Sequence, residues 1–135
     1  VIVSDTNLIA HLYVECESSP LARQVIFVDT DWVSPFLWRS EFRNALLKCL
    51  RARVLERDKA FRILGAADAM MSGSEFDVSS VDVLELALTS GCTAYDAEFV
   101  VLARDLRVPL VTTDKDLLEK FPETAVSPER YLARR

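Results

Sequence analysis

Glycine, histidine and cysteine are scarce in this sequence, and each scarcity removes a class of function. Glycine occurs only at Gly65, Gly73 and Gly91. No GxGxxG or GxxxxGK(S/T) loop can be assembled from those positions, which excludes the glycine-rich phosphate cradles of dinucleotide-binding and P-loop proteins. The one histidine is His11. It leaves no His-rich zinc site and reads as an exposed or hydrogen-bonded helix residue. The three cysteines, Cys16, Cys49 and Cys92, are odd in number and far apart. They form no CxxC pair, and the expectation is reduced, buried thiols. No apolar run approaches the ~18 residues that a membrane-spanning helix requires. No charged–apolar–small leader opens the chain, so the cytoplasm is the expected compartment. The start at Val1 points to a trimmed or removed initiator methionine.

What is present describes a globular chain. It has 135 residues, a one-domain length, and the expectation is a single domain over 1–135. Half of the residues are hydrophobic and 27% are charged, which separates it from disordered sequences. Sixteen basic against twenty-one acidic residues give a net charge of −5. A protein that held nucleic acid by charge alone would be basic. Either the partner is something else, or metal ions stand between carboxylates and phosphates.

Short β-branched runs alternate with helical periodicity. Strands are expected at Val1–Ser4, Trp32–Ser34 (stopped by Pro35), Phe76–Ser79, Val108–Thr112 and Thr124–Val126. Helices are expected over Leu8–Val14, Leu21–Val28 after Ser18-Ser19-Pro20, Phe36–Arg53, Glu56–Met71, Val81–Ser90 closed by Gly91, Ala94–Asp105, and from Asp114 to Lys120. Pro128 to Arg135 reads as a tail. The alternation implies an α/β fold with a mostly parallel sheet and helices on both faces.

In such folds ligands bind beyond the carboxyl ends of the strands. Asp5 follows the first strand and Asp114 the fourth. Glu41 and Asp96 lie at helix starts. Each alone reads as a helix cap or a dipole partner. Converging on one pocket, the four would make an all-oxygen site suited to Mg²⁺ or Mn²⁺.

These residues also carry a resemblance. Val3-Ser4-Asp5-Thr6-Asn7, Ser40-Glu41, Tyr95-Asp96-Ala97-Glu98-Phe99-Val100-Val101-Leu102-Ala103 and Leu110-Val111-Thr112-Thr113-Asp114-Lys115-Asp116-Leu117 occur in that order across the chain. Together they resemble the PIN domain, and within it the VapC-type toxins of type II toxin–antitoxin pairs. The resemblance implies a PIN-like three-layer α/β/α sandwich with a short-stranded central sheet. It implies a Mg²⁺- or Mn²⁺-dependent endoribonuclease, homodimeric and held by a cognate antitoxin. Asp5, Glu41, Asp96 and Asp114 match the family's acidic metal-binding quartet. Asn7 and Thr113 match polar positions that support it, and Asp116 matches a frequent extra acid. Glu98 is either a further contributor or a solvated helix residue.

The chemistry stands without the family name. A phosphodiester is anionic, and a cation held by carboxylates can activate water and offset the phosphate charge. Arg39, Arg43, Lys48, Arg51, Arg53, Arg57 and Arg62 place basic residues along two helices, with Arg39 and Arg43 as candidate RNA contacts. Trp32 and Trp38 read as core or subunit contacts. Three alternatives remain. A haloacid-dehalogenase-type hydrolase needs a second acid where Asn7 stands. A PIN-fold interaction module would not need the acids. An RNA-processing nuclease would share the chemistry and differ in its partner.

Overall fold

In the computed structural model, which describes residues 1–135, five short parallel strands form the sheet. They are β1 (Ile2–Ser4), β2 (Trp32–Pro35), β3 (Glu75–Phe76), β4 (Leu110–Val111) and β5 (Ala125–Val126). Their order is β3-β2-β1-β4-β5. β1 is buried along its whole length, as a central strand covered on both faces must be. Parallel neighbours cannot be joined by hairpins. The connections are therefore helices: α1 (Thr6–Tyr13), α2 (Ser19–Val28), α3 (Trp38–Arg51), α4 (Arg57–Met71), α5 (Ser80–Ser90), α6 (Ala94–Leu106), α7 (Lys115–Lys120) and α8 (Pro128–Ala133).

The helices fall into two groups around the sheet. α6 packs on β1, β2 and β4, with α5 against it. α1 packs on α2, α3 and α4, while α8 covers α2 and α4 reaches β2. This is the expected three-layer α/β/α arrangement. One apolar cluster of 27 buried residues links the sheet to both groups, with Trp32, Trp38, Phe42 and Phe99 as its largest fully buried side chains. Both tryptophans are thus core residues. A small satellite of Val83, Ala97 and Val101 joins α5 to α6.

Several expected boundaries move. Pro35 does not stop β2 but is its last residue, paired with Phe76. At a strand end proline withholds no needed ladder donor. β3 begins at Glu75 and ends at Phe76, not Ser79. Glu75 is charged, yet its side chain is only 7% exposed, taken up by Arg39 and Trp38. β4 is two residues long, shorter than Val108–Thr112. The presumed tail carries α8, capped by Ser127 and started by Pro128. α3 starts after a turn at Phe36–Leu37, and the chain leaves it through Arg53 in the left-handed region. Gly91, with φ +77°, closes α5 as expected. The cysteines are free but not buried: Cys16 is exposed and the other two are half-buried. His11 is half-buried, and its Nδ1 has no hydrogen-bond partner, contrary to expectation.

Candidate active site

The strand order places β2 on one side of β1 and β4 on the other, so the topology reverses between β1 and β4. That crevice is where open α/β sheets bind ligands. Asp5 leaves β1 and Asp114 follows β4, one on each side of it.

Asp5 is 8% exposed and is the N-cap of α1. Its Oδ1 accepts the Thr6 N–H at 2.7 Å and its Oδ2 accepts the Thr112 hydroxyl at 2.6 Å. Burial raises its pKa, and the charges of Asp114 and Asp96 push the same way. The two hydrogen bonds oppose that rise.

Glu41 lies in the first turn of α3. Its Oε1 accepts the Thr6 hydroxyl at 2.8 Å. Burial again raises its pKa, with further upward pushes from Asp5, Asp96 and Glu98. Asp96 sits in the first turn of α6, whose cap is Thr93; the Thr93 hydroxyl accepts the Asp96 N–H at 3.0 Å. Burial raises the Asp96 pKa and Asp114 adds to it, while Lys120 pulls it down. Asp114 caps α7, its Oδ1 accepting the N–H groups of Asp116 at 2.9 Å and Leu117 at 3.3 Å.

The four acids therefore act on one another's charge around the crevice. Three of them are held in conditions that penalise ionisation. In the geometry they adopt, no three His, Cys, Asp or Glu side chains enclose a common point as an ion's ligands would. Asp5 is pinned by two threonines, and Asp114 is turned onto the amides of its own helix. By donor type the residues fit a hard divalent cation: all are carboxylates, and their repulsion is what such a cation relieves.

The supporting polar residues differ from those expected. Asn7 is exposed and Thr113 is half-buried. The hydroxyls that anchor the carboxylates belong to their neighbours Thr6 and Thr112, both buried. Thr112 also accepts the Asp114 N–H at 3.0 Å, so one side chain ties both sides of the crevice together. Each threonine was visible beside a named acid, but choosing between adjacent polar residues requires knowing which one faces inward. Asp116 is exposed, its side chain 3.9 Å from Lys120; its N–H donates to Asp114 and its charge raises the Asp96 pKa. Glu98 is half-buried, its pKa raised by burial.

Arg39, a candidate RNA contact, is engaged by two carboxylates. It forms ion pairs with Glu75 and, at 3.0 Å, with Asp68, and so fastens α3 to β3 and α4. Arg43 is exposed and borders an apolar groove between α3 and α4 lined by Leu47, Leu50, Phe61 and Leu64.

No family model matches the chain. Among curated proteins, Ribonuclease VapC3 of Pyrobaculum aerophilum is 34% identical over 125 residues, covering 90% of this chain and 95% of that protein. Among solved structures, PAE2754 from Pyrobaculum aerophilum superposes with a TM-score of 0.73 at 26% identity, over 98% of this chain and 94% of that one. A toxin–antitoxin complex from Klebsiella pneumoniae gives 0.69 at 15% identity, over 95% of this chain and 98% of that one, a likeness of fold. With a buried aspartate at the sheet's switch point, three further acids around it and a relative matched over nearly its full length, the chain belongs to the VapC family of PIN-domain ribonucleases.

Proposed function

We propose that this chain is a divalent-metal-dependent endoribonuclease, the toxin of a toxin–antitoxin pair, acting as a single domain over residues 1–135. The observation that carries this reading is Asp5. A carboxylate that is almost wholly buried, held by Thr6 and Thr112 and facing two further acids, is costly to keep unless it has work to do. Asp5, Glu41, Asp96 and Asp114 would hold Mg²⁺ or Mn²⁺. When bound, such a cation offsets the phosphate's negative charge and acidifies the attacking water.

The chain's own residues supply orientation and proton handling. Thr112 and Thr6 fix the Asp5 carboxylate so that its direction does not depend on substrate. Thr6 fixes Glu41 through Oε1 and leaves Oε2 as the oxygen to take the proton of the attacking water. In the metal-free site burial and the charges of Asp5, Asp96 and Glu98 raise the Glu41 pKa, and a bound cation would oppose that rise. Asp96 and Asp114 complete the negative rim. RNA is the substrate because the relative is a ribonuclease, and the antitoxin partner follows from the toxin–antitoxin complex of the structural neighbour. Exposed apolar residues on α3 and α4 support a homodimer. No helix is long and apolar enough to cross a membrane, and we place the protein in the cytoplasm, with its RNA.

The test is cleavage of total cellular RNA with mapped ends. Mn²⁺ or Mg²⁺ should support cleavage, EDTA should abolish it, and Ca²⁺ should serve poorly because its looser shell positions water less well. Glu41→Gln should be inactive. Cleavage that survives EDTA would remove the metal from the mechanism.

A further inference from the structure

Beside the acidic centre lies a cavity of about 390 Å³ that the chemistry above does not use. Two aromatic rings form part of its wall. Phe36, on the turn between β2 and α3, is 49% exposed, and Phe76, the last residue of β3, is 37% exposed. Val83 and Leu84 of α5 add apolar surface. The only charged groups on the wall are the carboxylates of Asp77 and Glu98.

Three features say what belongs there. The first is position. Pro35 pairs with Phe76, so both phenylalanines stand at the carboxyl edge of the sheet, the edge on which Asp5 also lies. Glu98 is shared: it lines the cavity, and its charge is felt at Glu41. The second is charge. Two carboxylates without a basic partner exclude phosphate and accept a neutral ring. They also offer acceptors to an exocyclic amino group, which adenine, cytosine and guanine carry and uracil lacks. The third is exposure. Large apolar side chains grouped at a rim mark a contact site more often than an accident of the surface.

We propose that this cavity is a nucleobase subsite, in which a base flanking the scissile phosphate of single-stranded RNA stacks on Phe36, with Phe76 as the second wall. The proposal rests on the ribonuclease reading for its choice of ligand. Unpaired bases stack readily on aromatic side chains, and the contact tolerates different bases because each has a π-face. The backbone then lies over the acids while the base is held to one side.

The experiment compares wild-type protein with Phe36→Leu, which keeps apolar bulk without a π-face, and Phe36→Trp, which keeps the face. Steady-state cleavage of a short single-stranded oligoribonucleotide in Mn²⁺ is measured with the solution mass of each protein. Binding of the same oligonucleotide is measured on a Glu41→Gln background. Phe36→Leu should weaken KM and binding about tenfold, with kcat within about twofold, and Phe36→Trp should stay close to wild type. Removing the base beside the cut site should weaken wild type by a similar factor and Phe36→Leu hardly further. Equal KM and binding for Phe36→Leu and wild type would overturn the subsite and leave the nuclease standing. Base-dependent binding through Phe36 without any cleavage would overturn the nuclease and leave the subsite standing. A Phe36→Leu protein whose mass changes as its activity falls would make the rim a subunit contact and overturn the proposal.

Discussion

The Thr112 hydroxyl donates to Asp5 Oδ2 at 2.6 Å while accepting the Asp114 N–H at 3.0 Å. One buried oxygen thus sets the orientation of the central carboxylate and the path of the chain into the opposite acid. Thr112→Val keeps the shape and removes the donor. Asp5 is left with one hydrogen bond in a buried site, and the Asp114 amide loses its acceptor. The expected loss is about 1–3 kcal/mol of stability, with a fall in cleavage, and Thr112→Ser should recover most of both. Urea unfolding of the three proteins checks this.

Asp96→Asn should behave in the opposite way. Thr93, not Asp96, caps α6, and the like charges of Asp114 and Asp116 act on Asp96 against the single opposite charge of Lys120. Neutralising it should abolish cleavage and leave metal-free stability unchanged or raised by about 1 kcal/mol. It should also shrink the stabilisation gained from added Mn²⁺, since ligand linkage follows affinity for the folded state. Thermal melts with and without Mn²⁺ decide it. Strong destabilisation without metal would make Asp96 a structural residue.

The pH dependence follows from the direction of the shifts. Asp5, Glu41 and Asp96 all have pKa values raised in the folded chain, chiefly by burial. A raised pKa means that the folded state holds protons the unfolded state has released. The contribution of these groups is fully present below the ordinary carboxylate range near 4 and is lost as pH rises through the raised values. Glu75 runs the other way: Arg39 holds its carboxyl below the usual range, so its stabilisation is kept above that range and lost as pH falls through the lowered value. In EDTA these three groups should therefore raise the melting temperature as pH is lowered toward the ordinary carboxylate range, against the opposing pull of His11, whose pKa is lowered by burial and whose unfolded form takes up a proton below about 6.5. Glu41→Gln combined with Asp96→Asn should flatten that slope.

Arg39 and Arg43 should separate cleanly. Arg39→Gln leaves the nearly buried Glu75 carboxylate without its cation and should cost about 1–2 kcal/mol, whatever it does to RNA binding. Arg43→Gln removes an exposed charge and should change stability by less than about 0.5 kcal/mol. A rise in KM for Arg43→Gln alone would mark it as an RNA contact. Chemical denaturation and cleavage kinetics on the same preparations give both readings.

Assembly is open to a direct measurement. The exposed Leu47, Val54 and Phe61 on and between α3 and α4 lie at the rim of the Arg43 groove or beside it. Light scattering at micromolar concentration should report twice the monomer mass. A monomer would show that this face meets a different chain.

Much of the architecture was legible because it rests on local rules. Val1–Ser4 reads as a buried strand, Pro20 as a helix start and Gly91 as a helix end; the structure bears out the helix signals and the buried strand from Ile2 on, with Val1 exposed outside it. The four acids could be named because the blocks that carry them occur in the family's order, although each alone reads as a helix cap or a dipole partner. Local rules failed where a charge is buried by a partner far away in sequence. Glu75 belongs in β3 only because Arg39 and Trp38 neutralise and enclose it. The choice of Thr6 over Asn7, and of Thr112 over Thr113, was likewise beyond the sequence. Adjacent polar residues are equivalent in composition, and only the packing of β1 against β4 decides which hydroxyl turns inward to meet a carboxylate.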